Sequence, residues 1–425
     1  MTKHSMKPSL PGPEDVFRTT LPNGITILAR SSFSSPSISM GGYLPAGSIF
    51  ETDDKLGLAD FVSSSLMRGT QMRTFDAIYN ELESVGASMG FDSGVHSISF
   101  GGRALVEDFP LLLQLLSESL QAPRFPKSEV EILRVHMLTG LAIREQDTSD
   151  MAAMAFDRML FDGHPYSRPA DGFVETIQSI TRKDLQDFHR RCFGPRGMVI
   201  AIVGAIDPGK AVEAVERVLG GWQVPGQVEA PALPAHKPVK KTVKHHHVLA
   251  GKSQSDLVVG MIGPRRNAPE YFAASLGNSV LGQFGMMGRI GEVVREKSGL
   301  AYYASSSLNA GTGPGSWEVN AGVNPKNLKK AIDLIEQELC RFVKSGVTKE
   351  ELADSQANYI GRLPLSLESN SGVAGALLNI ERYNLGLDYY QRYESMVRAV
   401  TRADVLETTR KYIDPDRLVI STAGP

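Results

Sequence analysis

At 425 residues the chain is too long for one ordinary core, so two or more domains are expected. Hydrophobic residues at 42% and charged residues at 22% are those of a soluble globular protein, and a formal net charge of −2 gives no electrostatic reason to expect nucleic acid or an anionic membrane as partner. No apolar run is long enough to span a bilayer.

The chain opens with MTKHSMKPSLPGPED, which has no apolar stretch after its basic residues and so does not read as a secretory signal. Residues 1–16 are taken as a tail. A cytoplasmic location is expected, with a periplasmic one as the alternative if a leader once preceded this sequence. Short apolar or alternating runs at Ile25–Leu28 and Ser37–Leu44 predict strands. The alternation ASMGFDSGVHSISFGGRAL at Ala87–Leu105 predicts a hairpin, and its strand at about Phe91–Phe100 is the expected open sheet edge. Helices follow at Val106–Gln121, Lys127–Arg144 and Met151–Leu160.

Between Trp222 and Lys244 the composition turns proline-rich and loses hydrophobic periodicity, which marks an interdomain linker. The two sides of it end alike. ITRKDLQDFHRRCFGPRGMVIAIVG (Ile180–Gly204) and VTRADVLETTRKYIDPDRLVISTAG (Val400–Gly424) align without a gap. Each opens with Thr-Arg-x-Asp, a capping-box-like helix start, and carries a proline at the same offset, Pro195 and Pro415. Upstream, FPKSEVEILRVHM from Phe125 parallels VTKEELADSQANY from Val347. The chain is therefore a duplicated domain. Strands first and helices after, twice over, predict an α+β fold with helices packed on one face of a mainly antiparallel sheet in each half. The expected boundaries are 17–222 and 245–425, joined by the linker 223–244.

The stretch Leu281–Leu308, LGQFGMMGRIGEVVREKSGLAYYASSSL, predicts a loose glycine loop, a polar helix ending at Ser298-Gly299, and a strand. Gly299 stands where positive φ ends a helix at no steric cost. Arg295 at the helix end and Tyr302 at the strand start converge in a site-like arrangement. Tyr303 points to the opposite sheet face and is expected to pack.

Two pieces carry a resemblance: G-L-A-x-F…M-x-G-T at Gly57–Thr70, and V-R-E-K-x-G-L-A-Y at Val294–Tyr302. With the element order they resemble the pitrilysin/insulinase zinc-peptidase superfamily, in the branch of the mitochondrial processing peptidase subunits and their bacterial counterparts. Active members carry H-x-x-E-H on a helix, two imidazoles on one face to hold zinc and a glutamate as base. Here the two histidine positions are Asp60 and Ser64, the base position is Ser63, and the distal ligand position falls at Gly140. The resemblance thus implies no metal and no cofactor in this chain. The second piece is intact, so Arg295 and Tyr302 are the implied catalytic pair, acting in trans. Tyr302 would donate to the scissile carbonyl and Arg295 would anchor a neighbouring carbonyl or carboxylate.

What the resemblance implies is the non-catalytic half of a heterodimeric clamshell. The expected partner is a homologous subunit with an intact inverted zinc motif, and the expected substrates are short or unfolded peptides. The loop bearing Gly282, Phe284, Gly285 and Met286 is the implied substrate-binding segment. The rival readings are a non-enzymatic assembly subunit and a peptide-binding homodimer. Elsewhere, His245 and His247 share a strand face without a nearby carboxylate cluster, and His164 in a Gly-His-Pro turn is expected to be structural. Cys192 and Cys340 are expected to be buried free thiols.

Overall fold

The computed structural model describes residues 10–425, apart from the side chains of Phe284 and Met286. Residues 1–9 of the expected tail lie outside it. In chain order come β1 (Phe17–Thr20), β2 (Thr26–Ser31), β3 (Ser37–Leu44), α1 (Leu58–Ser65), α2 (Phe75–Ser84), β4 (Ser88–Ser93) and β5 (Ile98–Leu105). Then follow α3 (Phe109–Gln121), α4 (Lys127–Arg144), α5 (Thr148–Leu160), α6 (Val174–Ser179), α7 (Arg182–Cys192), β6 (Val199–Gly204) and α8 (Pro208–Leu219). The second half begins with β7 (Val243–Val248), β8 (Ser255–Gly263), α9 (Tyr271–Gly282), α10 (Phe284–Gly291), β9 (Ala301–Asn309) and β10 (Gly315–Val323). It closes with α11 (Leu328–Ser345), α12 (Lys349–Ser366), α13 (Asn370–Tyr383), α14 (Tyr389–Ala399), α15 (Arg402–Tyr412) and β11 (Val419–Gly424).

The strands form two sheets in the orders β1-β2-β6-β3-β5-β4 and β7-β11-β8-β10-β9, so the α+β class is as expected. All pairs are antiparallel except β2–β6 and β7–β11. The duplication is visible down to single hydrogen bonds. Thr181 and Thr401 each cap a helix and receive the reciprocal Asp184 and Asp404 carboxylates, at 2.7 and 2.8 Å from the threonine amides. The arginine that follows each threonine donates Nε to the first residue of the second matched motif: Arg182 to the Phe125 carbonyl at 2.6 Å, Arg402 to that of Val347 at 2.8 Å.

Two compact units result, and neither is continuous in sequence. One gathers the chain up to Leu141 with Pro169–Ala232 and Pro364–Gln391; the other gathers Ala142–Arg168, Leu233–Leu363 and Arg392–Pro425. Each sheet thus has the helices of its own half on one face and one helix from the other half on the second face. In the first unit, Leu378 of α13 stands 3.2 Å from where a Cβ on Gly41 of β3 would lie. In the second, Ala152, Phe156 and Leu160 of α5 are buried with Val258, Val419 and Ala423 of β8 and β11.

Alternation along a strand requires this arrangement. Ile200 and Ile202 of β6 join the main core of their unit, which leaves Ala201 and Val203, equally buried, facing the other way. Asp256 on β8, 2% exposed, pins the incoming α5. It accepts from Thr148 at the start of that helix, from Gln254 Nε2 at 2.9 Å and from the Tyr303 hydroxyl at 2.6 Å. Tyr303 does face away from Tyr302, and burial with that bond raises its pKa. One expectation fails at the surface: Cys192 is buried, but Cys340 on α11 is exposed, because its position falls on the solvent stripe of an amphipathic helix.

Asp256→Ala leaves three half-buried donors without their buried acceptor and should cost about 3 kcal/mol. Urea unfolding followed through Trp317 in a Trp222→Phe background is the check, because Trp317 lies in the second unit and Trp222 in the first. A midpoint unchanged from the parent's would show that α5 is not anchored there.

Candidate functional site

α1 is set up by backbone chemistry independent of any metal. Gly57 precedes it at φ +88°, and a Cβ there would lie 2.7 Å from Ile177 Cδ1, so only glycine fits. The buried Glu51 carboxylate accepts the amides of Gly57 and Ala59 at 3.1 and 2.6 Å, which stabilises the positive end of the helix. Asp60, Ser63 and Ser64 follow on this helix. Ser63 is 2% exposed, not on a polar surface, and its hydroxyl donates back to the Asp60 carbonyl at 3.0 Å. Gly140 lies exposed on α4, with open space where a side chain would begin. α4 reaches α1 through Arg134, whose guanidinium sits 5.2 Å from the Phe61 ring centre.

This donor set does not fit zinc. It offers one carboxylate, one hydroxyl already engaged, one free hydroxyl and one position with no side chain, where a tetrahedral site needs three protein ligands at least. Among the described residues no group of three or more His, Cys, Asp or Glu is placed to hold a metal ion. Burial, reinforced by the Asp171 and Asp92 carboxylates, pushes Asp60 up from 3.8 to about 6. Asp92 lies on β4, one of the two edges of this sheet, so the edge strand here is Ser88–Ser93 rather than one running on to Phe100.

The second piece is built differently from its sequence expectation. The glycine stretch is not a loop. α9 runs through Gly282, buried against β9, and α10 follows almost at once, with left-handed backbone at Gly285, Met287 and Gly288. The side chains of Phe284 and Met286, two of the predicted substrate contacts, lie outside the described residues. Arg289 fixes the far side of α10: its Nε and Nη2 grip Glu351 at 2.7 and 2.5 Å, over the Phe342 ring. Glu351 also caps α12 by accepting the Thr348 amide at 2.7 Å.

Beyond Arg289 the helix widens into a π turn at Glu292–Glu296. Gly299 ends it at φ +61°, with its amide on the Arg295 carbonyl at 2.9 Å and that of Leu300 on Val294 at 3.1 Å. Lys297 is occupied by Glu292 at 2.6 Å, whereas among the described residues the Arg295 guanidinium has only Glu296 at 4.0 Å and is about one-third exposed. β9 then opens with a bulge. Ala301 pairs with Val323 and Tyr303 with Gly322, which leaves Tyr302 without a partner and 71% exposed. π turns and β-bulges recur at functional sites because they re-aim one side chain without breaking the element. No residue type announces either irregularity, so the sequence supplied the two residues and not the device that presents them. Glu51 and Arg289 were also missed, and in both cases the partner lies on another element.

The residues that carry the resemblance also carry the match to known sequences. Residues 26–179 match the profile of the insulinase family (peptidase family M16), and residues 179–359 that of the peptidase M16 inactive domain. The chain belongs to the insulinase family. An uncharacterized zinc protease of Mycobacterium leprae is 27% identical over 397 residues, spanning 92% of this chain and 87% of its own length. The mitochondrial-processing peptidase subunit beta of Saccharomyces cerevisiae is 25% identical over 83% of this chain and 79% of its own. Among solved structures, the peptidase M16 inactive domain from Pseudomonas fluorescens superposes with a TM-score of 0.90 at 25% identity, over 97% of this chain and 98% of the other. A protease from Helicobacter pylori gives 0.87 at 19% identity over 98% of this chain and all of the other, a likeness of fold. With its zinc positions unfit and its second half matched by the inactive-domain profile, this insulinase-family chain is a non-catalytic member.

Asp60 gives a pH test of the lost site. Between 3.8 and about 6 the folded chain keeps a proton that the unfolded chain has released, so stability falls as pH rises through that window. Asp60→Asn should therefore be more stable than the parent at about pH 7, by ~2 kcal/mol, and no more stable at about pH 4. Urea midpoints at both pH values decide it, and a gain equal at both would place Asp60 in ordinary solvent.

Proposed function

We propose that this chain is the non-catalytic subunit of a heterodimeric zinc endopeptidase. It completes in trans the site of a homologous subunit that carries H-x-x-E-H, and the metal chemistry belongs to that subunit. One observation carries the reading: Arg295 and Tyr302 keep the family's spacing and have no strong partner among the described residues, with Tyr302 exposed and Arg295 about one-third exposed, while the zinc positions are gone. A tyrosine 71% exposed on a bulge contributes little to stability, so its presence there is better explained by something outside the chain. Relatives called zinc proteases, and one called a beta subunit, are chains of the kind such a pair would contain.

In this role the Tyr302 hydroxyl donates to the scissile carbonyl oxygen, where negative charge develops in the transition state. Arg295 offers two parallel N–H donors to a neighbouring backbone carbonyl or carboxylate, which sets the register of an extended peptide. Short or unfolded peptides are the substrates.

The test is cleavage of a quenched peptide library by this chain, by its H-x-x-E-H homologue, and by the two mixed. Silence alone and activity in the mixture are expected. Tyr302→Phe should lower kcat in the mixture by about 100- to 1,000-fold, while thermal stability stays at the parent's value. Arg295→Ala should raise KM more than it lowers kcat. If the homologue cleaves equally well without this chain, the shared site is wrong and an assembly role replaces it.

A further inference from the structure

Residues 230–255 hold five lysines, four histidines and no acid, in a chain whose formal net charge is −2. They include β7, one edge of the second sheet. The duplication shows what such an edge carries elsewhere in the same molecule. β2 lies parallel against Val199–Gly204 of β6 as β7 lies parallel against Val419–Gly424 of β11, so β2 and β7 are counterparts. The outer edge of β2 is covered by antiparallel β1, and its Ile27, Leu28 and Ala29 are fully buried. The outer edge of β7 has no strand on it among the described residues, and Lys244, His245 and His246 are exposed.

Parity along β7 says which backbone groups are open. The Val243 and Leu249 amides bond inward, to the Leu418 and Gly424 carbonyls at 2.9 and 2.8 Å. The main-chain N–H and C=O of Lys244, His246 and Val248 therefore point outward, beside a Val248 side chain that is 69% exposed. Lys240 and Lys241 lead into the strand in the open, and among the described residues Lys244 has only the half-buried Glu336 at 3.4 Å.

An unpaired edge is a template for another strand, and lysine on it blocks pairing with a like-charged one. Two copies of β7 in parallel register would set Lys244 opposite Lys244 and bring the two Lys240–Lys241 pairs together, which is destabilising, whereas an acidic strand would gain at the same positions. The charges that exclude a second copy thus select an acidic chain. We propose that β7 is a docking edge for an extended, acidic segment of a partner polypeptide, which adds to this sheet as β1 adds to the first. The argument is independent of Arg295 and Tyr302.

The experiment titrates the full chain with a fluorescein-labelled peptide that alternates Glu with Val, and with its Lys-for-Glu analogue. Anisotropy reports binding, and hydrogen exchange reports the amides of residues 243–249. The acidic peptide should bind and the basic one should not, with slowed exchange at Lys244, His246 and Val248. Lys241→Glu with Lys244→Glu should weaken binding by about tenfold or more. His246→Pro removes an outward amide and leaves the inward ladder intact, so it should abolish binding at a near-parental melting temperature; Val248→Pro is the second variant of the same kind. Binding that survives both prolines, or that leaves those amides unprotected, would overturn the proposal. So would equal competition by single-stranded DNA or phosphatidylserine vesicles, or self-association of the chain through this edge.

Discussion

A sheet buried on both faces needs two layers of helix, and neither half of this chain keeps both layers for itself. The constraint is met by exchange. α5, encoded before the linker, closes the second face of the later sheet, and α13, encoded after it, closes the second face of the earlier one. Anchors at the helix starts fix each position: Thr148 on Asp256 for α5, and Asn370 Nδ2 on the Ser37 hydroxyl at 3.3 Å for α13. Each unit is complete only with a segment that the other half of the chain supplies. A cut at the linker would leave both sheets with a bare apolar face, so the sequence boundary at 223–244 and the physical one are different objects.

The exchange was not legible beforehand, for a reason that applies to any duplicated chain. Alternation in β6, VIAIVG, says that both faces are buried but not by what, and α5 and α13 carry ordinary amphipathic patterns. Short-range chemistry was legible. Thr-Arg-x-Asp specified its capping box twice, Gly299 specified a left-handed end, and the limits of β3 and α4 fell where the pattern put them. The π turn and the Tyr302 bulge are different, because each is a one-residue offset imposed by packing on Ile290, Val294 and β10. α10 shows the same override: four glycines in ten residues read as a loop, yet Arg289 gripped by Glu351 holds a helix.

α1, which bears Asp60, Ser63 and Ser64, is held by protein contacts alone. Glu51 satisfies its first amides, Gly57 allows its entry, and Phe61 and Val62 bury its inner face completely. None of these contacts needs a metal ligand, and Ser63 turns inward to its own backbone. The Arg295–Tyr302 stretch has no comparable self-sufficiency. Its two irregularities spend regular hydrogen bonding to aim side chains outward, which a fold under selection for stability alone would have smoothed away. The first piece is regular and turned into its own core, while the second is irregular and presents Tyr302 outward.

The two edges of the later sheet make the same distinction by different means. At β9 the outward Ala304 amide meets the Met287 sulfur at 3.4 Å, and the Ser306 carbonyl meets Asn278 Nδ2 at 3.4 Å, so side chains of α9 and α10 close that edge. Thioether sulfur is a weak acceptor, but it needs no second strand. At β7 nothing of the kind is present among the described residues, and charge alone guards the edge. Charge is the one guard that discriminates, since it repels a basic strand and attracts an acidic one at equal distance, whereas a covering side chain excludes both. An edge that had only to be kept from aggregating could have been covered as β2 is by β1, or closed as β9 is by α10.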